Sequence, residues 1–237
     1  MKTTLYKADS RGHANHGWLN SYHSFSFANY YDPKRMGFGT LRVLNDDEVS
    51  AGMGFGTHGH SNMEIISIPL EGDLEHKDDI GNTTVIRNGD IQIMSAGTGV
   101  KHSEYNHSKV NKVKFLQIWV VPNKANVEPR YDQITLNDAD MTNRFHQIVS
   151  PDKNDDGVWI NQDAWFNLGS FDAKTELSYT LKDSDHGVYL FLLEGSCNVN
   201  GESLGKRDGL SVEKAEKIDL LVEAGTKVLI MEVPMAN

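Results

Sequence analysis

Residues 52–64 read GMGFGTHGHSNME and place His58 and His60 two positions apart in a glycine-rich segment. Farther along the chain, His102 and Glu104 repeat that spacing. Side chains at positions i and i+2 of a β-strand point to the same face, so each pair can present two ligand atoms together. The sequence therefore predicts a metal site in which imidazoles and one carboxylate converge on a single ion.

The glycines around both pairs favour a metal site over a chance occurrence. The chain has 10 histidines in 237 residues, so a His-x-His pair on a solvated strand is the alternative interpretation. Gly54 and Gly56 precede the first pair, however, and Gly97 and Gly99 precede the second. Tight turns that deliver strands to a ligand need such residues, because glycine adopts their backbone conformations most readily.

The donor set resembles the two-His-one-carboxylate arrangement of non-haem iron, with one further imidazole. We therefore expect one divalent metal ion. Iron(II) is favoured, and nickel, cobalt, copper, manganese and zinc are the alternatives, since the donor types leave the metal open. In six-coordination such a set leaves exchangeable positions on the ion, which indicates chemistry or ligand capture.

Alternation with a period of two dominates the chain, whereas helical periodicity is scarce. Glycine and aspartate separate the apolar runs, as is typical of many short antiparallel strands. The sequence therefore predicts an all-β fold. The predicted strands are 38–43, 64–70, 84–86, 91–94, 113–121, 177–181, 188–193, 218–222 and 228–233.

Short motifs recur in the same order in both halves of the chain, which favours a duplicated β-barrel. The matches are Leu70-Glu71-Gly72 with Leu193-Glu194-Gly195, Ala96-Gly97-Thr98 with Ala224-Gly225-Thr226, and Val121-Pro122 with Val233-Pro234. We expect residues 1–122 to form a metal-binding barrel and residues 157–237 a second barrel without metal ligands. Residues 123–156, rich in Asn, Asp and Pro, form the expected connector. The N-terminal segment is free to cross over and pack on the second barrel.

Composition narrows the class of partner and the compartment. The formal net charge is −10, from 33 acidic and 23 basic residues, so direct nucleic-acid binding is not expected. The single cysteine, Cys197, fits a reducing compartment. The sequence lacks an apolar segment after Lys2 and an apolar run near the roughly 18 residues of a membrane span. We therefore expect a cytoplasmic protein without membrane association.

The spacing of glycines and histidines resembles the motifs of the cupin superfamily. Gly52, His58, His60 and Glu64 keep the spacing of the first cupin motif. Within the cupins, the chain resembles the pirin family, and its bacterial quercetinase-like members in particular. The stretches that carry this resemblance are 18–27 (WLNSYHSFSF), 38–47 (FGTLRVLNDD), 63–66 (MEII), 74–78 (LEHKD) and 94–106 (MSAGTGVKHSEYN).

This resemblance implies a bicupin, in which two antiparallel β-barrels (double-stranded β-helices) pack together and only the N-terminal barrel holds metal. It also implies that the ligands are His58, His60, His102 and Glu104. In other cupins the glutamate of the first motif binds the metal, which makes Glu64 the rival carboxylate. On a straight strand Glu64 would lie about 13 Å from His60, which favours Glu104.

The resemblance further implies a quercetin 2,3-dioxygenase-like enzyme, in which O2 opens the ring of a flavonol-like aromatic substrate. Glu104 would act as the base that takes the proton of the substrate hydroxyl. One alternative is a non-enzymatic metal-binding regulator that acts through protein contacts, since the family includes such proteins; a metal-dependent isomerase or hydrolase is another. Side chains with a structural interpretation are His23 and His76, as satisfied histidines, and Phe25, Phe27 and Phe38, as core residues.

Overall fold

The computed structural model describes residues 1–235, which form four β-sheets. The all-β prediction is confirmed. Within these residues, helical structure is limited to a 3-10 turn at Ala8–Ser10 and the short helix α1 at Asp138–Met141. None of the helices in the described part of the chain is long and apolar enough to cross a bilayer.

The N-terminal half contains one large and one small sheet, and strand numbers follow the order of the chain. From one edge to the other, the large sheet consists of β12 (Arg130–Thr135), β9 (Asp90–Ser95), β6 (Glu64–Glu71), β11 (Val113–Val120), β4 (Leu41–Val49), β3 (Leu19–His23) and β2 (Gly12–Asn15). From one edge to the other, the small sheet consists of β5 (Gly54–His60), β10 (Val100–Asn106), β7 (Leu74–Asp78) and β8 (Thr83–Ile86).

The C-terminal half repeats this arrangement. Its large sheet consists of β1 (Lys2–Tyr6), β20 (Gly209–Glu213), β17 (His186–Glu194), β22 (Thr226–Pro234), β15 (Trp165–Phe171), β13 (Phe145–Ser150) and β14 (Val158–Trp159). Its small sheet consists of β16 (Thr175–Thr180), β21 (Lys217–Val222), β18 (Ser196–Val199) and β19 (Glu202–Gly205).

The main hydrophobic core lies between the two large sheets. Alternate apolar residues of strands such as β6 and β11 point outward from the N-terminal half and meet those of β15, β17 and β22. The opposite faces of the large sheets pack on the small sheets, through Phe115 and Leu74 in the N-terminal half and Val228 and Leu220 in the C-terminal half. The molecule therefore has four layers, and each half has its own interior.

The predicted arrangement of two antiparallel β units is confirmed, and the sheets described for each unit do not close into a barrel. Each half is a β-sandwich of the cupin type, because its seven-stranded and four-stranded sheets face each other as separate hydrogen-bonded units within residues 1–235. Apart from the parallel pairing of β13 with β14, the strand pairs in the sheets are antiparallel.

Two segments connect the halves more closely than a simple linker would. Strand β1 pairs with β20, so the N-terminal segment lies on the C-terminal sheet, with Tyr6 in register with Gly209. The segment predicted as a connector contains β12, which extends the N-terminal sheet, and β13, which belongs to the C-terminal sheet. The domain boundaries remain a prediction.

The predicted strand at residues 38–43 was wrong in its bounds, because β4 begins at Leu41 and continues to Val49. Phe38 and Leu41 instead form a tight turn, in which Gly39 has a φ of 52° that glycine tolerates best. The other predicted strands lie within one or two residues of those observed.

Candidate metal centre

The two predicted pairs of ligand-type residues meet inside the N-terminal sandwich. Strands β5 and β10 are antiparallel neighbours, with His102 in register with His58 and Val100 in register with His60. One nitrogen atom from each of His58, His60 and His102 lies within 4.8 Å of the others. A β-bulge before His58 shifts the register, so that Glu104 pairs with Phe55.

The histidine nitrogens fit a divalent ion. Nδ1 of His58 lies 2.8 Å from the carbonyl oxygen of Gly56 and donates to it, which leaves a lone pair on Nε2. That Nε2 lies 3.1 Å from Nε2 of His102. Two nitrogen ligands at right angles, each about 2.1 Å from one ion, lie about 3 Å apart. The spacing therefore suits neighbouring ligands of a single metal.

Burial keeps the imidazoles of His60 and His102 neutral, as ligands must be. Desolvation, followed by the charge of His58, lowers the pKa of His60 to about 4. Desolvation and the neighbouring histidines lower the pKa of His102 to about 3. At neutral pH both rings therefore keep a lone pair available.

Glu104 joins the site beside His102. Its carboxylate is 1% exposed and accepts hydrogen bonds from Ser67 Oγ at 3.2 Å and from Gln117 Nε2 at 2.8 Å. Burial raises the pKa of Glu104 to about 7, against the opposing effect of these two hydrogen bonds. One carboxylate oxygen of Glu104 lies within 4.8 Å of a ring nitrogen of His102 and of one of His76. These three residues form a second group of ligand-type side chains, which shares His102 with the group of His58, His60 and His102.

His76, interpreted as a structural histidine from the sequence, lies against this site. It is fully buried, its Nε2 lies 2.9 Å from Asp78 Oδ2, and its ring centroid lies 5.3 Å from that of His102. Although burial opposes ionisation of Asp78, hydrogen bonds from His76 and Asn82 lower its pKa. The carboxylate therefore accepts from Nε2–H of His76 and orients the ring.

A cavity of about 520 Å³ opens beside the ligands and is large enough for a small organic molecule. His58, His60 and Glu104 form part of its wall. Aromatic rings form much of the rest, with Trp119 5.0 Å from the ring of His60 and 5.4 Å from that of Phe27. The remaining lining residues include Tyr30, Phe55, His23, Asn45, Asp47 and Gln117.

The phenylalanines predicted to pack in the core divide between two roles. Phe25 and Phe38 belong to the core between the large sheets, as predicted. Phe27 instead lines the cavity and packs edge-on against Trp119 and His23. Cys197 is buried in the C-terminal half, where desolvation raises the pKa of its thiol to about 12, so it is inert at neutral pH.

The structure does not bring Glu64 to the histidines. Its carboxylate is fully buried on the outer face of the large N-terminal sheet, where it accepts from Ser95 Oγ at 2.8 Å. The backbone N–H and the side-chain amide of Asn161 also donate to it, at 3.2 and 3.1 Å. Glu64 thus ties the N-terminal sheet to a segment of the C-terminal half.

Ser67 and Gln117, which hold Glu104, were not singled out from the sequence. Each is a polar residue at an inward position of an otherwise apolar strand, EIISIPLE for β6 and VKFLQIWV for β11. A polar side chain on a buried face needs a partner, so this departure from the apolar pattern is a signal for a site.

The interior of the C-terminal half is built differently. Apolar side chains fill it, and the carboxylate of Glu232 on β22 is fully buried. Glu232 accepts from Tyr179 Oη at 2.7 Å, from Lys182 N at 2.7 Å and from His186 Nδ1 at 3.0 Å. His186, the only histidine in residues 157–237, is therefore paired with a carboxylate.

Known proteins resemble this chain along almost its whole length. A family model described as Pirin matches residues 5–120, and one described as a quercetinase C-terminal cupin domain matches residues 147–233. Quercetin 2,3-dioxygenase of Escherichia coli strain K12 is 42% identical over 230 residues, which cover 97% of this chain and 98% of that protein. A pirin-like protein of Caulobacter vibrioides is 35% identical over 225 residues, covering 94% and 96%.

A solved structure agrees with these relatives. The crystal structure of the bacterial pirin YhhW from Escherichia coli in complex with nickel(II) superposes with a TM-score of 0.93 at 39% identity. The superposition covers 98% of this chain and 99% of that one.

Proposed function

The chain belongs to the pirin family, and we propose that it is a metal-dependent dioxygenase of the quercetin 2,3-dioxygenase type, which opens a flavonol ring with O2. The observation that carries this proposal is the cavity of about 520 Å³, which joins the imidazoles to an aromatic wall suited to a flat ring system. The name of the Escherichia coli relative at 42% identity supports the same reaction class.

We assign one divalent ion to His58, His60, His102 and Glu104, with iron(II) favoured by the donor set. The nickel(II) in the related Escherichia coli structure supports a single-ion site and leaves the physiological metal open. When bound, such an ion supplies Lewis-acid polarisation of the substrate oxygens and a template for the substrate and O2.

We assign Glu104 as the base that accepts the proton of the flavonol 3-hydroxyl. Burial raises the pKa of Glu104 to about 7 in the chain without metal, and a bound divalent ion would lower it, so the base role rests on the position of the carboxylate beside the cavity. Ser67 and Gln117 each hold one carboxylate oxygen, so the group is fixed beside the cavity before the substrate arrives. Removal of the hydroxyl proton increases the electron density of the ring that O2 attacks.

Aromatic side chains position the substrate. Trp119 and Phe27 pack edge-on in the cavity wall and offer apolar surface to a planar ligand. A ring held between such surfaces is shielded from water, which strengthens its polar contacts at the ligand end of the cavity.

The test is a measurement of bound metal followed by assays of quercetin bleaching and O2 uptake. We expect turnover in the loaded protein, loss of turnover on chelation, and recovery when one specific metal is returned. Absence of turnover with each of the candidate metals, in folded and loaded protein, would contradict the dioxygenase and favour the regulator that acts through protein contacts.

A further inference from the structure

A row of polar side chains crosses the inner face of the large N-terminal sheet. His23 on β3 is in register with Asn45 on β4, Asn45 with Gln117 on β11, and Gln117 with Ser67 on β6. Residues in register on neighbouring antiparallel strands have their side chains side by side on one face. The four residues therefore form a continuous polar row, which leads away from Glu104.

The two ends of this row differ in their hydrogen bonding. At one end, Ser67 and Gln117 donate to Glu104. At the other end, His23 Nδ1 and Asn45 Oδ1 are buried and have no hydrogen-bond partner among residues 1–235. Both residues line the cavity. Eight buried side-chain atoms in residues 1–235 lack a partner, and these two belong to adjacent residues of the cavity wall, so together they point to a ligand that is not part of the chain.

Neighbouring side chains define what His23 can accept. Its Nε2 lies 2.8 Å from Ser21 Oγ, and Ser21 in turn donates its only proton to Asp47. When Asp47 is ionised, Ser21 Oγ accepts from Nε2–H of His23, which leaves a lone pair on Nδ1. Burial lowers the pKa of His23 to about 4, so the ring is neutral at physiological pH. His23 and Asn45 thus present two adjacent acceptors.

We propose that His23 and Asn45 bind the ring hydroxyl groups of the aromatic substrate at the end of the cavity remote from the metal ligands, and so select polyhydroxylated rings. This inference rests on the proposed function and adds a specificity determinant to it. One strand separates β3 from β11, a span of about 10 Å that a three-ring flavonol can bridge. Two adjacent acceptors match the two O–H donors of a catechol group.

The experiment compares two ligands and three variants. The ligands are quercetin, which carries a catechol ring, and 3-hydroxyflavone, which has the same ring system but only the 3-hydroxyl. Dissociation constants are measured by fluorescence titration of the nickel(II)-loaded protein without O2, so binding is separated from turnover. The variants are His23→Phe and Asn45→Leu, with His107→Phe as the matched control, because His107 is exposed and lies outside the cavity.

We expect the wild-type protein to bind quercetin more tightly than 3-hydroxyflavone. Each cavity variant should weaken quercetin binding by about tenfold and leave 3-hydroxyflavone binding nearly unchanged. Equal losses for both ligands, or no preference in the wild-type protein, would overturn this inference alone. Failure of the loaded wild-type protein to bind either flavonol would overturn it together with the proposed function.

Thermal unfolding provides a control for folding. Replacing an unpaired buried acceptor with an apolar side chain of similar size removes no hydrogen bond, so Asn45→Leu should unfold at or above the temperature of the wild-type protein. Asn45→Leu therefore carries the test if His23→Phe, which also loses the contact with Ser21, fails to fold.

Discussion

Glu64 and Ser67 lie three residues apart on β6 and point to opposite sides of the large N-terminal sheet. Ser67 faces the interior and donates to Glu104, whereas Glu64 faces the C-terminal half and is bound by Ser95 and Asn161. An odd spacing on a strand always separates two side chains in this way. The outer face of the large sheet therefore keeps Glu64 away from the histidines, whereas Glu104 on β10 lies on the inner side, where Ser67 reaches it.

We expect Glu64→Gln to bind as much metal as the wild-type protein. The substitution puts an amide nitrogen where the buried carboxylate accepts hydrogen bonds from Ser95 and Asn161, so at least one of these bonds is lost and the free energy of unfolding should fall by about 1–3 kcal/mol. Metal analysis and denaturant unfolding measure the two effects. A loss of metal as large as that caused by Glu104→Ala would show that Glu64 is a ligand.

Glu104→Gln tests the base that we assign. Glutamine keeps one oxygen for Ser67 or the ion but cannot accept a proton, so turnover should fall by about 100-fold or more while most of the metal is retained. Metal content and quercetin turnover are measured on the same sample. Parallel losses of metal and turnover would leave Glu104 as a ligand with no role as a base.

His76→Phe tests whether His76, His102 and Glu104 hold a metal ion of their own or whether His76 only supports the site of His58, His60 and His102. We expect one metal per chain in both proteins and an affinity about 10-fold to 100-fold lower in the variant, because the ring beside His102 loses its hydrogen bond to Asp78 and is no longer fixed against that ligand. Titration calorimetry gives both values. Two ions per wild-type chain, falling to one in the variant, would contradict this expectation.

Asp47→Asn tests the buried carboxyl below the cavity. Burial raises the pKa of Asp47 to about 7, against its hydrogen bond from Ser21, while the charges of Asp46 and Glu104 raise it further. Asp47 holds its proton more tightly in the folded state than in the unfolded state, where its pKa is near 4. The stability that this difference contributes to the folded state is therefore fully present below pH 4 and is lost as the pH rises through about 7.

The variant cannot ionise at this position. Between pH 4 and pH 8, the metal-free wild-type protein should therefore lose stability relative to Asp47→Asn, by a few kcal/mol. Urea unfolding at several pH values in the presence of a chelator measures the difference. A difference that is constant with pH would contradict the raised pKa.

The sequence was most informative where neighbouring residues alternate. The period-two pattern predicted the apolar strands, and the spacing of His58 with His60 and of His102 with Glu104 predicted which side chains share a face. The register between β5 and β10, which brings His102 opposite His58, was not predicted, because neither strand was among those expected. The alternation and the two spacings are what the sequence provided. These features depend on a few consecutive residues, so they are visible without the fold.

Contacts between distant segments were not visible in this way. The middle of β4 contains Asn45, Asp46 and Asp47, which are residue types typical of turns. Asp46 is accommodated there because it forms ion pairs with Arg11 and Arg207. The role of His76 emerges only when β7 lies beside β10. Such positions are fixed by partners far away along the chain, and local propensity cannot anticipate them.

The pairing of β1 with β20 also affects how the chain can be synthesised and folded. Lys2 and Glu213, which form an ion pair across these strands, are 211 residues apart in the sequence. During translation β1 therefore leaves the ribosome long before its partner exists, and the edge of the C-terminal sheet is completed among the last steps of folding. A fusion or truncation next to β1 would consequently disturb the half of the protein that is synthesised last.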